Sequence, residues 1–275
     1  MKIKTILLGL FWLICLALSP EAISQNFYQK NGEIYDLWGI CRTRPQGFDG
    51  YFQVTERGFR PVIAFESLGS NADIAYRLGQ EFLKQYPDSS QRAEKIYTFV
   101  RDRVRYTQDL SQFGYREFAQ NADELAKRIQ EGNAQGDCED YAILLATMYK
   151  AAGYRTAIVL VPGHAATLVY LPEYQKANIS LTFNEESGWI WAEATGRNNP
   201  LGWYPQRALQ GKAFAYEIEK EEDLALKAEP GGKIAQVKGK SRSLAFSPFF
   251  LLLLIMWILP MIGRIFMVMV VRRRI

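Results

Sequence analysis

Gly136-Asp137-Cys138-Glu139-Asp140 leads without a break into Tyr141-Ala142-Ile143-Leu144-Leu145-Ala146-Thr147-Met148-Tyr149-Lys150-Ala151-Ala152, and this stretch decides the fold. Apolar residues lie on nearly every face of the second part, and a helix apolar all round is a buried one. Gly153 supplies its stop. A cysteine therefore stands in the first turn of a central helix. Free backbone N–H groups and the positive dipole end gather there, so the Cys138 thiol is expected to ionise more readily than a free one, as a nucleophile requires. Gly136 is expected to let the backbone turn tightly and aim the side chain into a cleft. The competing reading of Cys138 is an inert, buried small residue.

Working outward, the upstream chain reads as helices. Asn71 to Gln85 keeps helical spacing at Ile74, Ala75, Leu78, Phe82 and Leu83, with Asn71 as its cap. Pro87-Asp88 breaks it, and Ser90 is expected to cap a second helix striped by Ala93, Ile96, Tyr97, Val100 and Val104. A third runs from about Asn121 to Gln130 with Leu125 and Ile129 inward. Before these, Gln25 to Ser70 mixes aromatic and polar residues around the turn signals Asn31-Gly32 and Arg44-Pro45-Gln46-Gly47, and reads as irregular or strand-containing. Downstream come strands at Thr156 to Val161, Ala165 to Leu171 and Ser187 to Ala194, with a fourth within Tyr204 to Tyr216. Helices, a buried helix opening at a cysteine, then antiparallel strands make an α+β domain with helices packed on an antiparallel sheet.

His164 is the only histidine of the chain. It follows Pro162-Gly163 at the start of a strand, where a side chain can face a helix terminus. Glu193 lies on the next strand, in Trp189-Ile190-Trp191-Ala192-Glu193-Ala194-Thr195. By period two it shares a face with Trp189 and Trp191, and a carboxylate beside two indoles needs a partner. The bland reading of Glu193 is a surface charge on an edge strand. Cysteine, histidine and carboxylate fit an activated nucleophile: the imidazole takes the thiol proton, and the acid fixes its tautomer.

With these residues in place, the chain resembles the transglutaminase-like superfamily, with its papain-related fold. The resemblance rests on Gly-Asp-Cys-Glu-Asp at 136–140, the helix after it, His164, the Trp-x-Glu-x-Thr strand and the upstream Val104-Arg105-Tyr106-Thr107-Gln108-Asp109, and covers about Gln91 to Pro205. It implies a Cys–His–Asp/Glu triad at Cys138, His164 and Glu193; many members carry Asp in the third place. The wording around the cysteine is also similar to bacterial transglutaminase-like cysteine proteinases, some of which bind calcium there. Asp137, Glu139 and Asp140 are the oxygen ligands that resemblance points to; otherwise they are helix N-terminal acids on a solvated face, and no cofactor is expected. The resemblance implies acyl transfer from a protein or peptide amide to water, with the Cys138 N–H as one oxyanion donor. Trp189, Trp191 and Trp203 would wall an amine channel in the alternative, a crosslinking transamidase. A non-catalytic binding module on the same fold, and a scaffold stapled by a Cys41–Cys138 disulfide, are the readings from other classes.

Charge and the chain ends set the compartment. The formal charge is +4, but with Lys2, Lys4, Arg264, Arg272, Arg273, Arg274 and Glu21 set aside the middle is near −1. That excludes a nucleic-acid binder, which needs a net basic surface. Residues 1–24, a basic start, an apolar run from Ile6 to Leu18 and Ala22-Ile23-Ser24, form a secretory signal peptide, or else an uncleaved anchor. Residues 25–90 form the N-terminal part of the exported region, 91–219 the domain itself and 220–243 a charged linker. Leu244 to Gly263 carries no charge and has the length of one transmembrane helix. Residues 264–275 are then a basic cytoplasmic tail. The expectation is a single-pass membrane protein with its domain on the extracytoplasmic side, acting on a protein or peptide substrate; the oligomeric state is left open.

Overall fold

The computed structural model describes residues 22–56, 58–69, 74–205, 212–219 and 233–238. The expected signal run and the expected membrane span at 244–263 lie outside these apart from Ala22–Ser24, which open a strand. Among the described residues no helix is long and apolar enough to cross a membrane.

The segment read as irregular or strand-containing is a sheet. Strands β1 (Ala22–Lys30), β2 (Glu33–Tyr35), β3 (Cys41–Gly47), β4 (Gly50–Thr55) and β5 (Gly58–Arg60) are followed by one helical turn, α1 (Val62–Phe65). Two of these strands are only three residues long, too short to show a period of two. Asn31 and Gly32, at φ 53° and 85°, close the β1–β2 hairpin with the turn chemistry their sequence signals.

Helices follow: α2 (Ile74–Gln85), α3 (Ser89–Arg103), and, beyond strand β6 (Arg105–Tyr106), α4 (Asp109–Gln112) and α5 (Ala122–Gln130). The expected cap Asn71 of α2 is outside the described residues. The cap of α3 is Asp88 rather than Ser90: its carboxylate accepts the Gln91 N–H at 2.7 Å, which places Ser89 and Ser90 inside the first turn. Asn121 caps α5 in a reciprocal box with Glu124. Strand β7 (Gln135–Gly136) pairs parallel with β6 and delivers the chain to α6 (Cys138–Ala151), the buried central helix. Where α2 crosses it, Gly79 permits the contact, because a Cβ there would stand 2.4 Å from the Met148 carbonyl oxygen.

The remaining strands are β8 (Thr156–Val161), β9 (His164–Tyr170), β10 (Leu181–Phe183), β11 (Glu186–Ala192), β12 (Phe214–Glu217) and β13 (Lys233–Lys238). β10 was not foreseen. A five-stranded antiparallel sheet runs β10-β11-β9-β8-β12, and a six-stranded sheet runs β13-β1-β2-β3-β4-β5, in which only β3 and β4 are parallel. β13 falls within the stretch read as linker. Lysines at both its ends gave it a linker's composition, yet it pairs with β1.

The core gathers on α6. Ile143, Leu144 and Leu145 pack with Ile96 and Val100 of α3, Leu125 of α5, Ile158, Val169 and Ile190 of the five-stranded sheet, and Tyr51 and Phe52 of β4. The N-terminal sheet therefore shares one core with the cysteine helix. Burial of each such aliphatic side chain contributes roughly 1.5–3 kcal/mol.

Candidate active site

The helix apolar on all sides anchors Cys138 at a fixed height, and the five-stranded sheet brings His164 and Glu193 to the same end. His164 opens β9, and its Nε2 hydrogen-bonds Glu193 Oε2. Glu193, 5 % exposed, follows the last residue of β11. Its other oxygen accepts the Thr195 N–H at 3.2 Å and the Thr195 hydroxyl. The Tyr97 hydroxyl of α3 donates to the Glu193 carbonyl at 2.5 Å, so backbone and carboxylate are both held. Glu193 is thus a buried, partnered acid and not an edge-strand surface charge. The backbone N–H of Ala165, next to His164, is directed at the Cys138 sulfur. The extra methylene of Glu over Asp is no obstacle to meeting the imidazole.

The thiol differs from expectation. Cys138 Sγ donates to Glu139 Oε2 at 3.2 Å. Burial pushes the thiol up, and the Glu139 and Asp137 carboxylates push in the same direction; the Ala165 N–H opposes them. The helix dipole is a partial charge, and here two neighbouring carboxylates and desolvation outweigh it. Cys41 and Cys138 are both free thiols, which removes the disulfide staple.

Gly136 also serves differently from expectation. Its φ is not in the left-handed region. It pairs with Tyr106 in β6–β7, and a Cβ on it would sit 2.6 Å from Asp140 Oδ2. Gly136 is required because Asp140 packs against it. Asp140 is fully buried and accepts the Gln120 N–H at 2.8 Å, the Gln120 side-chain amide at 2.5 Å and the Asp137 N–H at 3.3 Å.

The acids at this helix start do not form a solvated face. Glu139 and Asp140 are buried, Asp137 is half-buried, and Asp109 of α4 joins them. Burial pushes Asp109 up to about 9, with the Asp140 and Asp137 charges adding to it. Burial likewise raises Asp137 to about 9 and Glu139 to about 7. Ligand atoms of Asp109, Asp137 and Asp140 lie within 4.8 Å of one another, as do those of Asp109, Glu117 and Glu139. Asp109 Oδ1 and Asp137 Oδ1 are buried without a hydrogen-bond partner. Carboxylates this close together, two of them with an oxygen left unpaired, suit a hard cation, so these residues fit calcium. Asp109 stood in the quoted upstream motif, but nothing in the sequence showed that it meets residues nearly thirty positions on. Glu117 and Tyr51 carried no signal at all.

The indoles of Trp189 and Trp191 pack with Ala157, Val159, Ala166, Leu168 and Tyr204, while Ile190 and Ala192 join the α6 core. Both indoles are almost completely buried, so they are packing and cannot wall an open amine channel.

No curated protein sequence matches the chain. Residues 76–207, from α2 to just beyond Tyr204, match the family model of the transglutaminase-like superfamily. The cysteine that opens α6 and the hydrogen-bonded His164–Glu193 pair both lie inside that span, and residues 76–207 form a domain of the transglutaminase-like superfamily.

Proposed function

We propose that the chain is an exported, membrane-tethered cysteine acyl-transfer enzyme of the peptidase or amidase type, acting on protein or peptide amides. The observations that carry this are the His164–Glu193 pair and the backbone N–H of Ala165, next to His164, directed at the Cys138 sulfur. Glu193 takes Nε2 of the imidazole, which leaves Nδ1 for the thiol. In this reading Nδ1 accepts the Cys138 proton and the thiolate attacks the amide carbonyl. The imidazolium then protonates the departing amine, leaving a thioester on Cys138. Water, deprotonated by the same imidazole, attacks the thioester; the acid product leaves and the thiol is restored. The Cys138 N–H at the start of α6 is one donor for the oxyanion. Export and the membrane tether rest on the N-terminal leader pattern and the uncharged run at 244–263.

Asp109 with Glu117 and Glu139, or Asp109 with Asp137 and Asp140, would hold a calcium ion, and its charge near the sulfur would favour the thiolate. Without compensating charge, the thiol proton stays directed at Glu139. With Trp189 and Trp191 buried, the transamidase reading loses two walls of its channel, and hydrolysis is the reading the residues favour.

The test uses the full chain in detergent with calcium, incubated with envelope proteins and a labelled primary amine. New N-termini or deamidated side chains that vanish in Cys138→Ala support hydrolysis. Amine incorporation without new N-termini replaces it with transamidation. A native Cys138 that reacts with no thiol probe leaves only the binding-module reading.

A further inference from the structure

Outside the superfamily match, a side chain of the N-terminal sheet reaches the candidate site. Tyr51 of β4 is 1 % exposed, and its ring packs edge-on to Phe52 with centroids 4.9 Å apart. Its hydroxyl stands 3.2 Å from Glu117 Oε2 and 3.3 Å from Glu139 Oε1. A phenol has one proton to donate, and both neighbours are carboxylates. The second oxygen of Glu139, Oε2, is the one that accepts the Cys138 thiol. Tyr51 O–H, Glu139 and Cys138 S–H therefore form a continuous chain from the six-stranded sheet to the sulfur.

We propose that Tyr51 is a positioning residue of the Cys138 site, holding the Glu139 carboxylate in the orientation from which it engages the thiol. Glu139 is buried, and its remaining hydrogen-bonded neighbour, Asp137, stands at the start of the same helix. Tyr51 is thus the group that fixes Glu139 against a different element. With Oε1 tied to the sheet, Oε2 is presented to Cys138, and the thiol is kept from the imidazole until Glu139 is drawn elsewhere. The N-terminal sheet thereby becomes part of the reactive centre rather than a neighbour of it. This inference rests on the proposed role of Cys138 as the reactive thiol.

The test is a double-mutant cycle read by alkylation. The full chain in detergent, with chelator present, is treated with iodoacetamide at neutral pH, and labelling of Cys138 is followed by mass spectrometry in the parent, Tyr51→Phe, Glu139→Gln and the double variant. Glu139→Gln replaces the carboxylate that accepts the thiol proton and should speed labelling about tenfold, the loss of one charge-assisted hydrogen bond. Tyr51→Phe keeps the ring, and so the packing, and should speed labelling about fivefold by releasing Glu139. In the Glu139→Gln background it should change nothing further. An equal factor for Tyr51→Phe in both backgrounds would make Tyr51 a packing residue and overturn the positioning role while leaving Cys138 reactive. A Cys138 that labels in no variant overturns the enzyme reading and this inference together. Melting curves of the four proteins confirm that each rate belongs to a folded chain.

Discussion

Arg42 and Cys138 each sit among crowded carboxylates, and the two surroundings are balanced in opposite ways. At Arg42, Asp36 and Glu66 approach the guanidinium at 2.7 Å and Glu124 at 3.0 Å, and one guanidinium nitrogen also donates to the Ala119 carbonyl. Burial alone would raise Asp36, but the Arg42 charge overrides it and holds the carboxyl below its usual range, while burial keeps the neighbouring Glu66 raised. At Cys138, Asp109, Asp137, Glu139 and Asp140 meet with no ion pair to a basic side chain among the described residues. All four are raised, with no guanidinium to hold any of them down. The first cluster carries its own cation and is a fastener between the N-terminal sheet and α5. The second lacks one and is left with protons or a metal ion, which makes it responsive to solution conditions.

The largest test of this contrast is Arg42→Met. Leaving Asp36, Glu66 and Glu124 without their guanidinium should cost about 3–5 kcal/mol in denaturant unfolding. A loss under about 1 kcal/mol would mean that the cluster does not depend on its internal cation.

Next in size is the response to calcium and pH. Asp109 and Asp137 lie near 9 in the folded chain against 3.8 unfolded, so the folded state holds protons that the unfolded state has released. Their contribution is full below about 3.8 and is lost as pH rises through about 9. In chelator the melting temperature should therefore fall from pH 5 to pH 9. Calcium at a hundredfold excess over its dissociation constant should restore about 2.7 kcal/mol, with the greater gain at the alkaline end where protons compete least. A melting temperature indifferent to both would erase the distinction between the clusters.

The smallest effect has the opposite sign to the first. Asp109→Asn removes a buried acid that has no cation, and its amide oxygen can still accept the Phe118 N–H. In chelator at pH 8 it should stabilise the chain by about 1 kcal/mol, while abolishing the calcium shift. Destabilisation without loss of that shift would show that Asp109 serves the loop and not a cation.

Much of this was legible beforehand, and the reasons are particular. Leu125 and Ile129 of α5 and the all-round apolar face of α6 are local periodic signals, and both helices stand where the spacing placed them. The order Cys138, His164, Glu193 was readable because a helix start and two neighbouring antiparallel strands leave few places for those side chains to point. The six-stranded sheet was not legible, since its strands are short and β13 joins β1 across two hundred residues of chain. The side of the sheet taken by Trp189 and Trp191 was read correctly as alternating, but alternation does not say which face covers which surface.

What the amino-acid sequence determined by itself is the inventory and its order: a cysteine opening a buried helix, one histidine, a carboxylate two residues before a threonine, and uncharged apolar runs near both ends. These follow from hydrophobic periodicity, capping chemistry and composition, which act over a few residues at a time. Only the tertiary structure decided the state of the thiol. Tyr51 from the N-terminal sheet, Asp109 and Glu117 from the segment before α5, and Glu139 from α6 converge within hydrogen-bonding or ligand distance of one another. Electrostatic energies depend on distance and desolvation rather than on position along the chain. The thiol of the helix-start cysteine, which local rules would make acidic, is therefore pushed up, first by the burial that only folding imposes and then by the Glu139 and Asp137 carboxylates beside it in the chain.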